Sequence, residues 1–131
     1  MATDRPLVVL AGPIPAAGRA NLETEARVVQ CDDETEAGFL RIAADADGLL
    51  FRAKPRCSES LMAACKRLKV VGRHGVGLDT VDIPAATKLG VAVVHAPGSN
   101  SQSVAEHALM LMLMSAKRAR QVDRWTREGN W

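Results

Sequence analysis

The chain has almost no aromatic material. Of its 131 residues two are Trp, two are Phe and none is Tyr, so any core is aliphatic. Cysteine is scarce as well. Cys31, Cys57 and Cys65 are odd in number and form no CxxC. That argues against a disulfide framework and for reduced thiols in a cytoplasmic protein. Long apolar runs are missing. The longest, Ala108 to Met114, falls far short of the roughly 18–20 residues that cross a bilayer. The opening MATDRPLVVLAG has neither the basic start nor the long apolar stretch of a secretory signal. Charge of one sign is lacking too: the net charge of +2 is too small to imply a nucleic-acid partner. Repeats and low-complexity segments are absent. What remains is 47% hydrophobic residues on a chain of single-domain length.

Strand and helix patterns alternate along that chain. Pro6 to Ala11 (PLVVLA) is a nearly continuous apolar run, as in a parallel strand covered on both faces. Gly12-Pro13 ends it, and a helix is expected over Ile14 to Glu25. Arg27 to Cys31 is a second strand. Asp32 or Asp33 is placed to cap the next helix, with Glu34 and Glu36 in its first turn. Phe39, Leu40, Ile42 and Ala43 form its expected inner face. Gly48 to Phe51 is a third strand, and Ser58 to Lys66 a third helix presenting Leu61, Met62 and Cys65 on one side.

The most organised stretch runs from Leu68 to His107. Leu68, Val70 and Val71 form a strand that stops at a glycine loop, Gly72 to Asp79 (GRHGVGLD). A short helix over Asp82 to Leu89 and a strand over Val91 to Val94 follow. The loop Ala96-Pro97-Gly98 then leads to a helix start at Ser103, where Ser103 and Glu106 fit a capping box. This is the grammar of a doubly wound α/β domain with a parallel sheet of about five strands. The last helix differs from the others. Ala108 to Met114 is apolar on every side and needs cover all round. Lys117, Arg118 and Arg120 crowd its expected C-terminal end.

LKVVGRHGVGLDTVD, AATKLGVAVV and APGSNSQSVAEHALMLML, with the less specific GNW, resemble the N-terminal substrate-binding part of the NAD-dependent D-2-hydroxyacid dehydrogenases. Within that family the resemblance is to phosphoglycerate dehydrogenases and hydroxypyruvate or glyoxylate reductases. It is strong from Leu68 to Met114 and lies only in the layout of elements before Arg67. The resemblance implies a flavodoxin-like substrate-binding domain over residues 1–100 and a linking helix over 101–131 that leads to a nucleotide-binding domain. That domain, and the family's catalytic arginine, glutamate and histidine, would lie beyond Trp131. The implied cofactor of the full-length enzyme is NAD or NADP, with none held tightly by this chain, which is expected to be inactive alone. The expected partner is a small 2-hydroxy or 2-oxo acid. No membrane or nucleic acid is expected, and a homodimer is expected through the 103–120 helix.

The glycine loop is the main candidate site. It follows the C-terminal end of a strand, where open α/β sheets place ligands. Its glycines permit turns that point successive N–H groups at an anion, although a plain connecting turn has the same residues. By the resemblance, Gly75, Val76 and Gly77 hold the substrate carboxylate through backbone N–H groups. A dinucleotide fingerprint is rejected here. Thr80 stands where the third glycine of GxGxxG belongs, and the next strand ends in Val94-His95 without an acidic residue. Arg52 follows the third strand on the same sheet edge, and its fork suits a carboxylate or phosphate as well as open solvent. Arg73 is a similar candidate, or else an ion-pair partner of Asp79 or Asp82. By the resemblance, Asn100, Ser103 and Val104 lie beside the nicotinamide. On their own terms Ser103 is a cap and Asn100 a turn residue.

His74, His95 and His107 lack metal-site spacing and are not assigned to catalysis. His95 and Thr80 stand where the family often has Asn. The basic segment Lys117 to Arg127 is interrupted by Asp123 and reads as a solvated helix end. A second reading of the whole chain is a stand-alone flavodoxin-like module that binds or senses a small anion. A phospho-receiver version is disfavoured, because its acidic pair would follow the first strand and Asp32-Asp33 follow the second.

Overall fold

In the computed structural model, residues 5–130 are described. Trp131, the last residue of the GNW motif, and residues 1–4 at the start of the expected first domain lie outside them. The described chain falls into two units, one ending at Pro97 and the other starting at Gly98.

The first unit is built on five parallel strands, β1 (Leu7–Ala11), β2 (Arg27–Cys31), β3 (Gly48–Phe51), β4 (Val70–Arg73) and β5 (Ala92–Val94). Their order is β2-β1-β3-β4-β5, the flavodoxin-like winding. Val9 and Leu10 are both fully buried although they point to opposite faces, so β1 is covered on both faces of the sheet. One face carries the main core. Leu7, Val9, Leu49, Phe51 and Val71 pack there with Phe39, Leu61, Met62, Ala85 and Ala86. The last five belong to α2 (Glu36–Ala43), α3 (Glu59–Ala64) and α4 (Ile83–Leu89). Phe39 and Phe51 are its one aromatic pair, with ring centroids 5.2 Å apart.

The expected strands sit where the apolar runs put them, with one shift that matters for the site. Gly72 is not in the loop. It lies inside β4, paired with Leu50 and Val94. A Cβ there would come within 2.6 Å of Leu50 Cδ1, so a side chain at this position would have to push the tip of Leu50 aside. The loop therefore starts after Arg73.

Several helix ends differ from expectation. The first helix, α1, covers Ala16–Glu25 rather than starting at Ile14, because Pro15 serves as its N-cap. Thr35, not Asp32 or Asp33, caps α2, and its Oγ1 accepts the Gly38 N–H at 3.1 Å. Asp33 instead holds the cap, accepting the Thr35 N–H and hydroxyl at 3.0 and 2.6 Å. These bonds, chiefly the hydroxyl's, keep the Asp33 carboxyl below its usual pKa. Ile42, expected inside, is 41% exposed, while Phe39 and Ala43 are buried. The helix α3 ends at Ala64, two residues before the expected end.

The second unit holds α5 (Ser101–Ala116) and α6 (Ala119–Arg127). The capping box does not form. The ladder already begins with Val104 N–H donating to Asn100 O at 2.9 Å, so Ser103 sits inside the first turn. Glu106 accepts from Gln102 Nε2 at 2.9 Å instead. Nor is there one helix over 103–120. Arg118 adopts a left-handed φ of 49°, and the chain turns there into α6. Lys117 and Arg118 thus close α5 with N–H bonds to Leu113 O and Ser115 O. Leu109, Met110, Leu111, Met112 and Leu113 are all exposed on α5. No helix of the described residues is long and apolar enough to cross a membrane.

Candidate functional site

The loop after β4 takes its shape from backbone geometry. His74 N–H donates to Phe51 O at 2.8 Å and continues the β3–β4 ladder for one more residue. Gly75 then turns the chain at φ 148°, a conformation that L residues with side chains rarely adopt. The loop is braced on its far side by the segment after β5. Ala96 N–H donates to Gly75 O at 3.0 Å, and His95 Nδ1 lies 2.9 Å from Val76 O. Thr80 ties the loop's end to the main core through its carbonyl, which accepts the Cys57 N–H at 2.8 Å.

Between these braces the N–H groups of Val76 and Gly77 donate to no acceptor among the described residues. Unpaired backbone donors favour an anion or water. Gly77 is exposed and Gly75 and Val76 are half-buried, so the donors are reachable. Two side-chain atoms around the loop, Arg73 Nε and Thr80 Oγ1, are buried without a partner among the described residues. Arg73 makes no ion pair with Asp79 or Asp82. Asp82 instead caps α4 through the Ala85 N–H at 3.0 Å.

Two cavities open at this edge of the sheet. One, of about 460 Å³, is lined by Ile14, Leu22, Leu50 and Val94 with Arg73, His74 and His95. The other, of about 330 Å³, holds Arg52 and Lys54 with Gly12, Asp32, Asp33 and Glu34. It lies where β1 and β3 adjoin and the winding of the sheet reverses, the usual ligand crevice of such folds. Arg52 is exposed and makes no hydrogen bond through its side chain among the described residues. It follows β3, the strand beside β4, but lines a different cavity from Arg73.

In the second unit, Asn100 is the N-cap residue of α5, and Ser103 and Val104 follow in its first turn, all exposed. His107 is exposed on the same helix. The described residues contain no cluster of three or more His, Cys, Asp or Glu placed to hold a metal.

Residues 8–128 match the family model described as D-isomer specific 2-hydroxyacid dehydrogenase, catalytic domain. The chain belongs to that family. It is 38% identical over 128 residues to the D-3-phosphoglycerate dehydrogenase of Mycobacterium leprae, covering 98% of this chain and 24% of that one. It is 45% identical over 85 residues to the Archaeoglobus fulgidus enzyme of the same name, covering 65% of this chain and 16% of that one. The chain thus spans under a quarter of the length of these relatives. Among solved structures, a 2-hydroxyacid dehydrogenase from Ketogulonicigenium vulgare aligns with a TM-score of 0.79 at 26% identity. That match covers 95% of this chain and 40% of that one. A glyoxylate reductase from Paecilomyes thermophila shares the fold, with a TM-score of 0.84 at 21% identity over 98% of this chain and 43% of that one.

The residues around the loop include some that sequence reasoning did not find. The bond from His95 to Val76 O supplies a polar brace at a position that the sequence left without a role. Thr80 does not brace the loop through its hydroxyl, which has no partner among the described residues. The signal for His95 was its place directly after β5, beside the loop strand in the sheet order.

Proposed function

We propose that the Gly75-Val76-Gly77 loop holds the carboxylate of a small 2-hydroxy or 2-oxo acid, as part of an NAD- or NADP-dependent D-2-hydroxyacid dehydrogenase. The observation that carries this is the pair of N–H groups at Val76 and Gly77, reachable and without an acceptor among the described residues. Two such donors suit the two oxygens of a carboxylate, and hydrogen bonds to an ionised acceptor are the stronger kind. Arg52 adds a cation on the same sheet edge and suits an acid with a further anionic group. The names of the phosphoglycerate dehydrogenase relatives point the same way.

In the full reaction the acid loses a hydride from C2 to the nicotinamide and a proton from its hydroxyl; reduction of the oxo acid is the reverse. A bound nicotinamide cofactor supplies the hydride chemistry. Asn100 and Ser103 have side chains that make no hydrogen bond among the described residues, which suits polar contact beside the ring, with Val104 as an apolar neighbour. They form no cradle for a pyrophosphate, so tight cofactor binding is not assigned to this chain. The exposed Leu109–Leu113 run of α5 supports a contact with a second copy of the chain.

Calorimetric titration with 3-phosphoglycerate, glyoxylate and acetate is the test. Weak binding of the first two that is lost in Val76→Pro, with no NADH oxidation by the chain alone, is the expected result. Turnover of hydroxypyruvate or glyoxylate by the isolated chain would contradict the division of labour. Tight binding without cofactor would favour an anion-sensing module.

A further inference from the structure

Arg73 is the unexplained cation of the site. It ends β4, pairing with Phe51. Its Nη1 donates to the His74 carbonyl, the peptide just before the turn. Its Nε is buried and has no partner among the described residues. Its guanidinium occupies the space where a side chain on Gly75 would stand. A Cβ there would lie 2.7 Å from Nη1, 3.3 Å from Cζ and 3.5 Å from Nη2. Gly75 thus serves two purposes: it permits the turn at φ 148° and it leaves room for the arginine against the loop backbone.

Arg73 is half-buried, with its Nε wholly out of solvent, and an arginine held in this way usually has a carboxylate beside it. Here none of the described acids pairs with Arg73. The charge is tied to the backbone of the loop whose Val76 and Gly77 N–H groups have no acceptor among the described residues. We propose that Arg73 is a positioning residue for that loop. Its fork holds the His74–Gly75 peptide so that the Val76 and Gly77 N–H groups converge on one anion, and the anion completes the charge balance that the protein leaves open. This rests on the carboxylate-loop reading above and adds to it the residue that aims the donors. A lysine would keep the charge but lose the planar fork.

The test uses the ¹⁵N-labelled full chain with glycolate, the smallest 2-hydroxy acid, as the probe. Glycolate should move the Val76 and Gly77 amide signals. Arg73→Lys and Arg73→Met should each weaken its binding about tenfold, the scale of one charge-assisted hydrogen bond. Before glycolate is added, both variants should already shift the Val76 and Gly77 amides while those of Val9 and Leu49 in the sheet stay in place. Arg73→Gln, which removes the charged fork without touching Gly75, should shift the same two amides and serves if Arg73→Met does not fold. Unmoved loop amides in Arg73→Lys overturn the proposal, whatever happens to affinity. Wild-type affinity in Arg73→Lys with a loss only in Arg73→Met overturns it too, since charge alone would then suffice. If glycolate moves no amide in the unaltered chain, the carboxylate reading fails. Arg73 is then judged on the unliganded loop amides alone.

Discussion

The two edges of the sheet are built by opposite rules. At the N-terminal edge, Asp47 stands just before β3 with 5% of its surface exposed, and its contacts are satisfied. Its carboxylate accepts the Leu7 N–H at 3.0 Å, Lys69 Nζ at 3.2 Å and Arg67 Nη2 at 3.3 Å. Its backbone joins the same elements, donating to Leu7 O and accepting from Lys69 N–H. At the C-terminal edge the donors of Val76, Gly77, Arg73 Nε and Thr80 Oγ1 are left without partners among the described residues. One edge is closed for stability and the other is left open for a ligand. A satisfied polar network rigidifies its surroundings, whereas unpaired groups persist where something else is meant to pair with them.

The largest expected effect lies at the closed edge. Asp47→Ala strips one acceptor from a buried N–H and two cations, and should cost about 2–4 kcal/mol of stability in urea unfolding. Asp47 also gives a pH signature. Its folded pKa is lowered, first by the Leu7 N–H bond and then by Lys69 and Arg67, against the cost of burial. The stabilisation is therefore complete above the ordinary value of 3.8 and is lost as pH falls through the lowered folded value. In Asp47→Asn that part of the acid dependence should vanish. An unchanged acid unfolding curve in Asp47→Asn would remove Asp47 from this role and with it the contrast between the edges.

Much of this fold could be read before any coordinates, and the exceptions have physical reasons. Arg27–Cys31 and Gly48–Phe51 begin and end where the sequence pattern puts them, the second as a run of four mostly buried residues and the first as a half-buried edge strand marked by its paired valines. Helix starts were harder wherever several capping residues stand together. Asp32, Asp33 and Thr35 can each cap α2, and Asn100, Ser101 and Ser103 can each open α5. The choice depends on where the preceding loop delivers the chain. The break at Arg118 has no Gly or Pro to announce it. The anion loop was legible from its glycines. Arg73 was visible only as a basic residue, since its meaning depends on the missing Cβ of Gly75. Asp47 was not legible at all, because its partners lie 40, 22 and 20 residues away.

The next effect belongs to the open edge. Val76→Pro removes one of the two free donors without removing a bond within the protein. It should weaken 3-phosphoglycerate binding by roughly 1.5–3 kcal/mol, the range for hydrogen bonds to a charged acceptor. Stability should change far less than in Asp47→Ala. If instead Val76→Pro unfolds the chain as Asp47→Ala does, the loop is structural and the two edges are alike.

The smallest effect separates the open groups from one another. Thr80 Oγ1 is buried and unpartnered, yet it sits at the end of the loop where the backbone is already tied to Cys57. If Val76 and Gly77 alone hold the ligand, the Thr80 hydroxyl adds nothing to binding. Thr80→Val keeps the shape and removes a polar group that hydrogen-bonds to nothing in the chain, so stability should hold or rise by about 1 kcal/mol or less. Affinity for 3-phosphoglycerate should stay at its original level. A loss of affinity in Thr80→Val with stability unchanged would place the hydroxyl among the ligand's donors and extend the binding edge from Val76 to Thr80. A loss of stability would mean that the hydroxyl is bonded in the folded chain, and the open edge would then be smaller by one group.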